Sequence, residues 1–142
     1  MTTVNALLRD KSAEVWNVTP ETSVFDALQL MSDQNIGAVL VLDEGRLVGL
    51  LSERDYARKL ALENRTSRDT PARDVMTTHV AYVSPTTDVE ECLALMTDKH
   101  FRHLPVMDAG ELVGLVSIGD LVKAVLADKE FMIEQLEHYI SG

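Results

Sequence analysis

Apolar and polar positions along this chain form two matching series. Near the start, "VWNV" (15–18) is a short apolar run suited to a strand, and Thr19-Pro20 stops it. Val24, Ala27, Leu28 and Met31 then recur at helical spacing, with Ser23 where an N-cap belongs. "AVLVLDEGRLVGLL" (38–51) reads as two strands around a tight Asp-x-Gly turn, a hairpin. A second helix is expected to open at Ser52. The order then returns: "VAYV" (80–83), the stop at Ser84-Pro85, and Val89, Cys92, Leu93 and Met96 behind an N-cap at Asp88. "HLPVMDAGELVGLV" (103–116) is the second hairpin, and another helix opens at Ser117.

Sliding the sequence by 65 residues aligns positions 15–60 with 80–125 without a gap, and 18 of the 46 pairs are identical. Self-similarity at a fixed period takes precedence over any local motif. The predicted order is therefore β-α-β-β-α, twice, an α+β fold. By sequence order the chain divides into residues 1–64 (N-terminal segment and first repeat), 65–79 (linker and lead-in turn) and 80–142 (second repeat with an extended helix). The lead-ins differ, since "LLRDKSAEV" carries three more residues than "VMTTHV". One repeat alone would leave a small sheet with a bare face. Packing the two sheet to sheet about a pseudo-twofold removes that problem and forms a cleft where equivalent edges meet.

The densest identity falls on "GLLSERDY" (49–56) and "GLVSIGDL" (114–121). One reading of the shared Ser-x-x-Asp is a capping box, in which a serine N-cap and an acidic side chain three residues on satisfy each other's N–H groups. A second reading uses its place at the carboxyl end of a strand. Free N–H groups at a helix start attract anionic oxygens, and a carboxylate there accepts hydrogen bonds from a vicinal diol. Phosphate on the helix start and ribose on the aspartate would make a nucleotide site, present in two copies.

These doubled motifs, in their doubled strand-proline-helix-hairpin frame, make the chain resemble a tandem pair of CBS domains (a Bateman module) from about Leu7 to about Leu126. The resemblance implies adenine-nucleotide binding in the cleft between repeats. AMP is the first expectation, and ADP, ATP, NAD(H) and S-adenosylmethionine share the adenosine. It puts the ribose-binding aspartate on Asp55 and Asp120 and its hydroxyl partner on Ser52 and Ser117, and it adds Val80 and Val116 to the nucleotide-binding positions. It also implies a non-catalytic regulatory role, exerted on a partner protein in trans or through the assembly itself, and pairing of modules into a homodimer.

The two sites are not expected to be equivalent. Arg102 and His103 stand where the first copy has Gly37 and Ala38. In the family this position faces the cleft, and a guanidinium forks well onto phosphate. The first copy instead places Arg54 and Arg58 one turn apart, either as ligand contacts or as a solvated face paired with Glu53 or Asp55. In the second copy Ile118 is suited to pack on a base, and Gly119 to close backbone approach.

Composition narrows the function classes. With 23 acidic against 13 basic side chains the net charge is −10, which argues against nucleic acid or anionic membrane as a partner. A single cysteine, Cys92, in an apolar run fits a buried position and a reducing, cytoplasmic setting. No stretch approaches the ~20 apolar residues of a membrane span, and the N-terminus lacks a signal-peptide h-region. Among the four histidines, His79, His100, His103 and His138, no metal-site spacing occurs. A structural or metal-stabilised interaction protein with degenerate nucleotide sites is the alternative. No nucleophile–base pair or Walker loop suggests an enzyme. The last helix is expected to run to about Tyr139, with Leu121, Val125, Leu126, Phe131, Met132, Leu136 and Tyr139 packing on Val4, Leu7 and Leu8 or on a second subunit.

Overall fold

The computed structural model describes residues 2–10 and 15–141, so residues 11–14 of the longer lead-in lie outside the described residues. Two compact units result, and they do not follow chain order. One is Val15–Val80. The other joins residues 2–10 to residues 81–141.

In Val15–Val80, β1 (Asn17–Val18) runs parallel to β2 (Ala38–Asp43), which pairs antiparallel with β3 (Arg46–Ser52). The hairpin turns on Glu44 and Gly45, both at positive φ (51° and 80°), the geometry a two-residue loop needs to match strand twist. Between β1 and β2 lies α2 (Val24–Gln34), capped by Ser23, whose Oγ accepts from the Asp26 N–H at 3.0 Å. Its buried face is Val24, Ala27 and Met31, the stripe that the spacing predicts. These close a core with Val39, Val41, Leu51, Leu60, Ala72 and Val75. Each such side chain contributes about 1.5–3 kcal/mol by leaving water. Ala72 and Val75 come from the polar joining segment and from the lead-in, so this unit borrows its last core residues from the second repeat's approach. After β3 the chain makes one α-helical turn, α3 (Glu53–Asp55), and continues as π-helix over Tyr56–Ala61.

The other unit repeats the plan. α4 (Val89–Lys99) buries Val89, Cys92 and Met96 on β4 (His103–Asp108) and β5 (Glu111–Ser117), again an antiparallel hairpin, turning on Ala109 and Gly110. The strand expected over 80–83 shrinks to one parallel bridge, Val83 with Val106. Asp88 holds the N-cap position of α4, but its side chain makes no capping hydrogen bond. Val4, in α1 (Val4–Asp10), is fully buried in this core, with Leu7 and Leu8 packed against it. The N-terminal segment, which precedes the first repeat, thus completes the core of the second.

The repeated glycine explains how each lead-in docks. Both hairpins carry a bulge: Val41 faces Gly49 but Leu42 faces Leu47, and Val106 faces Gly114 but Met107 faces Leu112. A Cβ on Gly49 would lie 2.6 Å from Met76 Sδ and 3.0 Å from the Thr77 carbonyl oxygen; on Gly114 it would lie 2.5 Å from Leu8 Cδ2. Glycine at the bulge lets an incoming hydrophobe lie on the strand. Beside Gly49 the contact becomes a bridge, with Leu50 and Thr77 exchanging N–H···O bonds of 3.0 and 2.9 Å.

Candidate functional site

In both units the residue at the carboxyl end of the second hairpin strand is the serine of the repeated motif, and the capping box forms twice. The Ser52 N–H donates to Asp55 Oδ2 at 3.0 Å, and the Asp55 N–H donates to Ser52 Oγ at 3.2 Å. Ser117 and Asp120 repeat this at 2.9 and 3.2 Å. The Glu53 N–H donates to the Gly37 carbonyl at 3.1 Å, and the Ile118 N–H to the Arg102 carbonyl at 2.9 Å. This corrects the expectation of free helix-start N–H groups, because three of them in each repeat are already bonded within the chain.

Asp55 has partners beyond its capping serine. Besides Ser52, its Oδ1 accepts from Thr77 Oγ1 at 3.2 Å and pairs with Lys59 Nζ at 3.3 Å. Lys59 is held by the Val75 carbonyl at 3.0 Å. Sequence reading missed both partners. Lys59 is discoverable as the i+4 neighbour of Asp55. Thr77 is 22 residues away and reaches Asp55 only through the bridge to Leu50. In the other repeat Ala124 stands at the position of Lys59.

The expected site residues assemble by unit. Ser52, Arg54, Asp55 and Arg58 share the start of α3 and its π-helical continuation, with Arg54 half-buried and Arg58 exposed. Val80, half-buried, lies three residues past the Thr77 bridge in the same unit. In the other unit, His103 pairs in register with Ser117, which places Arg102, His103, Ser117, Ile118 and Asp120 at one end of the hairpin. Arg102 is exposed in the bend before β4 rather than within the strand, and Ile118 is 42% exposed. Val116 belongs to the core, leaving only its main chain for any contact. A groove of about 410 Å³ lies elsewhere on this unit, between Tyr82, Glu91, Leu95 and Met107, and holds none of these residues.

Cys92 is fully buried, and burial, followed by the charges of Glu91 and Asp88, pushes its thiol up to about 11. It is a core residue. Among the described residues no group of three or more His, Cys, Asp or Glu side chains is disposed to hold a metal ion. No described helix is long and apolar enough to cross a membrane.

Known proteins match this arrangement. The CBS domain family model matches residues 11–62 and 72–127. The mitochondrial CBS domain-containing protein CBSX3 of Arabidopsis thaliana is 37% identical over 99% of this chain and 73% of its own length. A solved CBS-domain protein of Burkholderia ambifaria superposes with a TM-score of 0.87 at 48% identity, covering 89% of this chain and 96% of that one. CBSX2, solved in complex with AMP, superposes at 0.73 with 26% identity over 89% of this chain and 98% of its own. The chain belongs to the CBS family and carries two CBS domains.

Proposed function

We propose that this chain is a non-catalytic sensor that binds an adenosine-containing nucleotide, AMP foremost, at its serine–aspartate sites and relays occupancy to a partner protein in trans. The observation that carries the reading is the doubled Ser-x-x-Asp at the carboxyl end of a hairpin strand, intact in both repeats. Each aspartate caps its helix with Oδ2, and a carboxylate has about four lone-pair sites. Capping and diol binding are therefore compatible. At Asp55 a ribose diol competes with Thr77 and Lys59 for Oδ1. Phosphate falls to Arg102 and His103 at one site and to Arg54 and Arg58 at the other. That CBSX2 was solved with AMP supports the choice of ligand, and ATP or NAD(H) present the same adenosine. Buried Cys92 suits a reducing, cytoplasmic setting. The working form is a homodimer.

Native mass spectrometry of the freshly purified chain, followed by titration with AMP, tests this. The expected result is an adduct of adenine-nucleotide mass, and saturable uptake of AMP once the protein is stripped. No adduct and no uptake of AMP, ATP or NAD at millimolar concentration would refute it.

A further inference from the structure

The last helix, α5 (Ile118–Ser141), buries one side chain fully, Leu121, and from Lys129 to Ser141 every residue is exposed. Val122, Leu126, Ile133, Leu136 and Ile140 are 44% to 82% exposed. With Lys129 they follow one another at intervals of four, three, four, three and four residues. That is the heptad seam of a coiled coil, about 28 Å long at 1.5 Å per residue. Met132 and Tyr139 widen it on one flank, and Lys123, Glu130 and Glu137 line the other.

We infer that a second copy of this chain covers the seam, the two α5 helices pairing antiparallel over residues 122–140. The inference rests on the homodimer part of the proposed function and is independent of the nucleotide part. Charge decides the orientation. In-register parallel pairing sets Lys129 against its own copy at a buried position, where like charges are costly. Antiparallel pairing layers Leu126 on the partner's Leu136, Val122 on the partner's Ile140 and Lys129 on the partner's Ile133. The same alignment brings Lys123 near the partner's Glu137 and, at the twofold, sets Glu130 beside the partner's Glu130, flanked by a Lys129 from each chain. This complementarity selects a second copy over an unrelated helix, because one sequence supplies both halves of each pair. Burying the five apolar side chains of each helix removes roughly 1,000 Å² from water, near the lower limit for a specific interface. The dimer is therefore expected to be concentration-dependent, in the micromolar range.

Light scattering and cysteine cross-linking of the full chain test this. The expected mass is that of two chains at tens of micromolar, with Leu136→Asp raising the dissociation constant at least a hundredfold while circular dichroism is retained. Under mild oxidation the double variant Leu126→Cys/Leu136→Cys should form covalent dimers and Leu136→Cys alone should not; native Cys92 is buried and stays out of the reaction. Cross-linking of Leu136→Cys alone would overturn the antiparallel arrangement. A single-chain mass for the unaltered protein, or a dimer indifferent to Leu136→Asp, would overturn the seam. Because no readout involves nucleotide, failure here leaves the ligand reading standing, and failure of AMP binding leaves the seam standing.

Discussion

Arg102 is exposed beside the hairpin end that carries Ser117, and its main-chain carbonyl is already committed to the Ile118 N–H. In the proposed site its guanidinium meets the anionic end of the ligand. Arg102→Ala is therefore expected to lower AMP affinity about tenfold while adenosine binding barely changes, as read by calorimetry with both ligands. Equal losses for both would make Arg102 structural. Cys92 tests the core in the same residue-by-residue way. Its folded pKa of about 11 lies above the ordinary thiol value of 9.0, so its contribution to stability is whole below pH 9. That contribution fades as the pH rises toward 11, by on the order of 2 kcal/mol. Denaturant melts of the native chain should show this decline, and Cys92→Ala should lack it. The burial of Cys92 was legible in the run "VEECLALM". Of the partners of Asp55, Lys59 could be found four residues on, whereas Thr77 could not, because it arrives only through the bridge to Leu50.

At the scale of elements, periodicity located α2, α4 and both hairpins, since each has a buried stripe that sequence spacing exposes. It overestimated the strands before them. "VWNV" yields two strand residues and "VAYV" a single bridge. Nor could spacing reveal the lead-in docking, where residues far apart in the chain meet over a glycine. That docking gives an asymmetric prediction. A methyl on Gly49 meets the Thr77 backbone oxygen as well as Met76, whereas the three atoms nearest a methyl on Gly114 all belong to the movable Leu8 side chain. Gly49→Ala should cost about 1–3 kcal/mol in urea unfolding, and Gly114→Ala less than about 1 kcal/mol. The reverse order would mean that the bridge to Thr77 is the softer contact.

For the whole molecule, the doubled Ser-x-x-Asp in its 65-residue repeat carries the resemblance to a CBS pair, whereas nothing in the repeat pattern groups the N-terminal segment with the second copy. Val4, Leu7 and Leu8 carry no mark of which hairpin they cover, and only packing assigns them. The serine–aspartate pair was legible as two readings at once, and the structure satisfies the capping one in both repeats without excluding a diol. The central claim is that these carboxylates bind a ribose. Its most direct test is isothermal titration of AMP into the native chain, Asp120→Ala and Asp55→Ala, each checked for fold by circular dichroism. Loss of a charge-assisted acceptor costs about 1.5–3 kcal/mol, so the affinity of the altered site should fall roughly ten- to a hundredfold. AMP binding unchanged in both variants would contradict the account and leave Ser-x-x-Asp as a helix cap alone.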